Sequence, residues 1–198
     1  VVWMAYGTLA YAIIYLPLAL YAIEKYFLSR KLKFLGFLAF TIPLSFFSGH
    51  FQISIYFIVA TITYTIFKGF ASKKLYAIPY TLFSILIGLL LATAQLLPSI
   101  KLYSLAVRSE LFQLGEAIPL QYFITSIAPD FFGNPVTRND WFGHYAEWAS
   151  FIGVWPLVLA VYAMLRVRSW NILFFSILAL GSVLLAVNSP LSQLVVSF

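Results

Sequence analysis

The chain has 198 residues, 63% of them hydrophobic and only 9% charged, with a mean hydropathy of +0.96. A soluble domain carries roughly 25% charged residues, so the composition excludes an ordinary water-soluble fold and implies an integral membrane protein. The net charge of +6 does not point to nucleic acid, because the basic residues sit at the ends of apolar runs rather than on one face, and the lack of cysteine excludes disulfides and thiol chemistry.

In chain order, the first charge-free run predicts a spanning helix over about residues 3 to 23. The next run, Phe34 to Phe67, is 34 residues long. As one straight helix it would measure about 51 Å, well past a hydrocarbon core of about 30 Å, so it must fold back on itself. Its polar middle, Ser48-Gly49-His50-Phe51-Gln52, supplies the turn and leaves spans at 34 to 48 and 52 to 67. Further spans are expected at 75 to 97, 148 to 165 and 170 to 187, and a seventh would begin near Leu191. A transmembrane barrel would alternate apolar and polar residues over segments of about 10, whereas these runs are apolar all round. Helices also pair their backbone groups within one segment, as lipid demands. Pro17, Pro43, Pro79 and Pro156 fall inside spans, where they either kink the helix or reflect the ordinary abundance of proline in membrane helices. The chain begins without Met or a charged leader and stops within an apolar run, so residues 1–198 read as one transmembrane domain from a longer chain.

Charge sets the expected sidedness. With Glu24 to Lys33, Lys68 to Lys74 and Arg166 to Arg168 in the cytoplasm, nine of the twelve Lys and Arg residues are inside, as the positive-inside rule prefers. Residues 98–147 then form one long extracytoplasmic loop holding Lys101, Arg108, Arg138, His144 and five of the six acidic residues. It is too long for a turn and too aromatic for a disordered linker, so it should be ordered. Lys101 to Leu114 gathers Leu102, Leu105, Ala106 and Phe112 near one helical face, the pattern of an interfacial helix. Ile118 to Ala128 offers a second short helix or re-entrant piece halted at Pro129-Asp130, and Phe131 to Pro135 reads as a tight turn. The predicted fold is an all-α, polytopic bundle of about six transmembrane helices.

Chemistry-bearing residues are few. His50 and Gln52 at the outer hairpin turn either bind a substrate or are simply solvated, and Tyr56 lies one helical turn from Gln52. Gln95, near the end of its span, lines a cavity or satisfies a neighbouring helix. Asp130 serves its turn, or acts as a general base or a receiver of sugar hydroxyls. His144 and Glu147 are three apart, but no second pair with ligand spacing exists in the loop, so no metal is expected. Arg108 and Arg138 are the outer cations with the fork geometry that grips phosphate, unless they are solvated loop charges. No motif of classical hydrolase or nucleotide chemistry occurs, and no cofactor is implied.

Several short motifs appear together: Ser48-Gly49-His50-Phe51-Gln52 with Tyr56, Ala94-Gln95-Leu96-Leu97-Pro98 with Arg108 downstream, Pro129-Asp130-Phe131-Phe132-Gly133-Asn134, and Tyr145-Ala146-Glu147-Trp148 leading into Gly153-Val154-Trp155-Pro156-Leu157. In order and spacing, over about residues 40 to 160, they resemble the YfhO-type bacterial membrane proteins. Proteins of that type look like GT-C glycosyltransferases, which move a sugar from a polyprenyl-phosphate donor to an acceptor on the outer face of the membrane. The resemblance implies a multi-pass protein of the bacterial plasma membrane, a lipid-linked sugar donor and a cell-envelope glycan or lipid acceptor. It also implies substrate-binding roles for His50, Gln52, Tyr56, Gln95, Arg108, Asp130, Arg138, Tyr145 and Glu147. The catalytic acid of such enzymes usually lies in an earlier outer loop, so the base is expected upstream of Val1, with Asp130 and Glu147 as fallbacks. Two other readings stay open, a transporter or flippase of lipid-linked glycans and a non-catalytic assembly subunit. A transporter would place ionisable groups or broken helices near mid-membrane.

Overall fold

The computed structural model describes residues 8–105, 117–139, 141–187 and 189–190. These residues are helical apart from turns and one isolated parallel bridge, Ile118 to Val187, and contain no strand. The chain divides into two compact units, Val1–Ser109 and Glu110–Phe198.

The first unit holds α1 (Thr8–Ile13), α2 (Leu16–Ser29), α3 (Lys33–Phe47), α4 (Phe51–Ala71), α5 (Ala77–Leu91) and α6 (Thr93–Ser104). Between α1 and α2 the ladder is interrupted for one turn just before Pro17, which has no N–H to offer Ile13. Together they form one apolar stretch, Leu9–Ser29. The Phe34 to Phe67 run does fold back at the expected place: α3 ends at Phe47, α4 starts at Phe51, and the Ser54 hydroxyl donates to the Ser45 carbonyl at 3.0 Å across the turn. The Ser45 hydroxyl in turn donates to the Ala12 carbonyl at 2.7 Å. Buried Thr61, Thr65 and Thr81 satisfy their hydroxyls on carbonyls four residues back, the usual solution where lipid supplies no partner.

Helix α3 packs chiefly on α5 and α2. Its crossing with α5 depends on two backbone peculiarities. Pro43 leaves the Ala39 carbonyl without its donor four residues on. Gly88 then comes so close that a Cβ there would lie 2.7 Å from that same oxygen and 2.6 Å from Ile42 Cδ1. The missing N–H and the missing side chain together let the two backbones touch, and a Cα–H of Gly88 faces the orphaned oxygen.

The second unit holds a 3-10 helix (Leu120–Ser126), α7 (Tyr145–Trp148), α8 (Val154–Arg166) and α9 (Trp170–Ala186). Neither α8 nor α9 buries a residue. Their apolar side chains face outward on all sides, a distribution that suits lipid rather than water.

Each of the six expected spans contains a helix, but fewer of these helices are long and apolar enough on their own to cross a bilayer. By length and apolar character two qualify, Leu9–Ser29 and Phe51–Ala71, and a third does if the bent pair Ala77–Leu91 and Thr93–Leu102 counts as one. Helices α3, α8 and α9, of 15, 13 and 17 residues, reach about 20 to 26 Å at 1.5 Å per residue. The expectation of six exceeds this count because it accepted charge-free runs shorter than a full crossing, such as 34 to 48, and elsewhere counted residues that the backbone spends on turns. The window from Trp148 loses its first residues because Gly153, at φ +97, starts α8 only at Val154. The window 75 to 97 is broken at Ala92 by a 66° bend. That bend is not at a proline: the Thr93 hydroxyl donates to the Leu90 carbonyl at 2.7 Å, replacing a ladder bond. Pro79 and Pro156 lie in the first turns of α5 and α8, where no ladder bond is lost. The expected seventh span lies outside the described residues.

Candidate functional site

The sequence-named residues fall into two groups, one in each unit. In the first, the hairpin turn presents His50, Gln52 and Tyr56. His50 is the N-cap of α4: its extended backbone (φ −119°, ψ 93°) turns the ring back, and Nδ1 accepts from the Ile53 N–H at 3.4 Å. Histidine is not among the favoured caps, so this duty was not readable from the sequence. It leaves Nε2 without a hydrogen bond among the described residues, and the ring half-buried. Gln52 donates through Nε2 to the Tyr56 hydroxyl at 2.7 Å, joining the two on the face that their spacing indicated. Gln95 does not finish a straight span as expected. It sits in α6 beyond the bend, exposed, and reaches Ser99 Oγ at 3.5 Å.

The second group is more closely built. The chain leaves the 3-10 helix with the Ile127 and Ala128 N–H groups on the Ile124 carbonyl, and Pro129 prevents continuation. The turn that follows closes through the Gly133 N–H on the Asp130 carbonyl at 3.0 Å, with Gly133 at φ +90. Asn134 locks it: its side-chain oxygen accepts from the Val136 N–H at 2.9 Å, and its amide donates to Asp130 Oδ1 at 3.1 Å. The loop then returns over its own rings. Phe132 stacks on Tyr122 at 4.7 Å, Trp141 and Phe142 each lie 5.1 Å from Phe132, and Trp148 meets Tyr122 edge-on at 5.4 Å. Gly143, at φ +81, threads between two of these rings; a Cβ there would come within 2.6 Å of Tyr122 and 2.7 Å of Trp148. Offset and edge-on ring pairs contribute about 0.5–1.5 kcal/mol each beyond their burial, enough in number to fix a loop that has little helix of its own.

This aromatic knot delivers Tyr145 to Asp130. The phenol donates to Oδ1 at 2.9 Å, and that bond to the carboxylate, helped by partial burial and the negative charge, raises the phenol pKa above its ordinary 10. Both donors fall on Oδ1, and Oδ2 takes no hydrogen bond among the described residues. In the same loop Phe131 and Trp141 expose 51% and 67% of their surface. The arrangement is an exposed carboxylate with one oxygen held and one open, in a loop that also exposes Phe131 and Trp141.

Of the other named residues, Arg138 is exposed at φ +55 in the neighbouring turn, its N–H on the Pro135 carbonyl at 3.3 Å. Arg108 and the side chain of Glu147 lie outside the described residues. His144 stands edge-on to Trp148 at 5.0 Å. No group of three or more His, Asp or Glu side chains converges among the described residues. Sequence reasoning gave Asn134 no role of its own, although its place four residues after Asp130 in a Gly-containing turn was a usable signal. Glu24 and Lys68 are expected at the cytoplasmic side, with no contact between them foreseen. They pair at 2.5 Å, both largely sheltered, and Tyr64 also donates to the same Glu24 oxygen.

Fold and site together define an all-helical protein with helices apolar enough to cross a membrane and an aromatic loop that positions a carboxylate. The chain matches no family model, no curated protein and no solved structure.

Proposed function

We propose that this is a multi-pass protein of the bacterial plasma membrane, similar to the YfhO type. In this reading it acts as a GT-C-like glycosyltransferase, passing a sugar from a polyprenyl-phosphate donor to a cell-envelope glycan or lipid at the outer face. The observation that carries the reading is the Asp130 carboxylate, bonded by Tyr145 and Asn134 through one oxygen and open at the other, in a loop that also exposes Trp141 and Phe131. A carboxylate oxygen accepts sugar hydroxyls, and flat aromatic faces cover the apolar face of a pyranose while excluding water. In this role Asp130 and Tyr145 bind and orient, and the donor phosphate lies near Arg108 or Arg138, where a cation in a low-dielectric site steadies the charge that develops on departure.

The test is sugar transfer by membranes containing the protein, with a radiolabelled polyprenyl-phosphate sugar as donor. Loss of a hydrogen bond to a charged group costs about 1.5–3 kcal/mol, so Asp130→Asn should lower kcat/KM for the donor by about 10- to 100-fold with protein level unchanged. Undiminished transfer by Asp130→Asn would remove the site from the reaction. Translocation of the labelled lipid without transfer would instead favour a flippase.

A further inference from the structure

The basic end of the first unit carries an unmatched charge beside an apolar groove. Arg30, Lys31 and Lys33 are all exposed in the turn from α2 to α3. No Asp or Glu occurs from Lys25 to Ser109, and the one acid near this end, Glu24, is already taken by Lys68. Lys74 is likewise committed, donating to the Phe27 carbonyl at 2.5 Å. The three cations of the turn therefore face outward with no protein anion among the described residues to meet them.

From this turn a groove of about 320 Å³ runs between α3 and α5, lined by Leu32, Leu35, Gly36, Tyr80, Phe83 and Ile87 among others. Of its two hydroxyl-bearing residues, Ser84 spends its hydroxyl on the Leu35 carbonyl at 2.6 Å and Tyr80 carries a phenol; the rest of the side-chain lining is hydrocarbon. Gly36 gives the groove its depth: a Cβ there would meet nothing within 4 Å. The cations and the groove are joined through α5. Arg30 lies over the Tyr76 ring at 4.6 Å, and Tyr80, one helical turn further on, is part of the groove wall. Leu32, another wall residue, stands between Lys31 and Lys33 in the chain.

We propose that this groove holds an acyl chain of an anionic phospholipid whose phosphate rests on Arg30, Lys31 and Lys33. The proposal depends on the membrane reading but not on glycosyl transfer. An apolar slot with a cluster of unmatched cations at one end is complementary to a lipid of that charge, since hydrocarbon fills the slot and the phosphate meets the fork of Arg30 and the two ammonium groups. A zwitterionic lipid would fill the slot equally well but gain less from the cations.

The protein, extracted in mild detergent, is incubated with equal amounts of dioleoylphosphatidylglycerol and dioleoylphosphatidylcholine, and retained lipid is counted by native mass spectrometry. Each cation near an anionic headgroup favours it by roughly fivefold, so phosphatidylglycerol should be retained at least fivefold over phosphatidylcholine. Arg30→Gln, Lys31→Gln and Lys33→Gln together should bring the ratio toward one. Gly36→Leu, whose Cβ enters open space and whose longer side chain occupies the slot, should displace the retained lipid while the melting temperature holds. Equal retention of the two lipids would overturn the proposal. So would selectivity that survives Gly36→Leu, which would mean surface charge alone, or a change of oligomeric state in that variant, which would mean that protein covers the groove. Release of the wild-type protein from membranes by alkaline carbonate would overturn the membrane reading and this proposal with it, whereas an embedded protein that retains both lipids equally fails on the groove alone.

Discussion

Asp130 and Tyr145 are 15 positions apart and share a hydrogen bond only because a knot of rings folds the intervening chain. That bond has a measurable sign. A phenol that donates to a carboxylate holds its proton more tightly folded than unfolded, so the stabilisation is fully present below about pH 10 and is lost as pH rises through the raised folded value. With the tyrosine ring carbons labelled, the Tyr145 Cζ resonance should titrate above the ordinary phenol range, and Asp130→Ala should bring its midpoint down. An unchanged midpoint in that variant would show that the carboxylate is not the cause. Both residues were legible in the sequence as polar groups in an aromatic segment with a Pro-Asp turn, but their contact was not. Hydropathy and motif spacing see neighbours along the chain, whereas this pairing is set by ring packing and by Gly143, whose positive φ no periodicity reveals. The capping role of His50 escaped for a related reason: it depends on one backbone conformation at a turn, which brings the acceptor nitrogen of an uncommon capping side chain back to the Ile53 N–H.

At the scale of elements, the presence of each helix was written in charge-free runs, and its length was not. The hairpin at Ser48 to His50 followed from arithmetic alone, because 34 apolar residues exceed one crossing. The bend at Ala92 could not follow, since it rests on a threonine hydroxyl substituting for a backbone donor within an otherwise uniform run. The crossing of α3 and α5 gives the clearest test of packing. Because the Gly88 Cβ position is closed by the Ala39 carbonyl, which is backbone and cannot swing aside, Gly88→Ala should destabilise the protein by about 1–3 kcal/mol. Gly36→Ala, on the same pair of helices but over open space, should instead stabilise by up to about 1 kcal/mol through helix propensity. Thermal melts in detergent that ranked the two the other way would refute the close crossing.

For the whole molecule, the first unit has two unlike ends. Glu24 with Lys68, Lys74 with the Phe27 carbonyl, and Arg30 over Tyr76 gather the basic residues at one end, and α3 and α4 carry the His50 turn to the other. The charge asymmetry along the chain foretold this polarity, since clusters on both flanks of a hairpin must share an end. What charge could not foretell is that several of these cations bind neighbouring helices and so hold the bundle together as well as orient it.

The central claim is that the aromatic loop faces outward while the basic turns face the cytoplasm, and the absence of cysteine from the chain makes it directly measurable. Single cysteines at Val136, which is 89% exposed, and at Lys31 can be probed in intact cells with a membrane-impermeant maleimide. Outer placement of the loop predicts that Val136→Cys is labelled in intact cells and Lys31→Cys only after lysis. Labelling of Lys31→Cys in intact cells, with Val136→Cys protected until lysis, would contradict it and leave the proposed sugar transfer without a location.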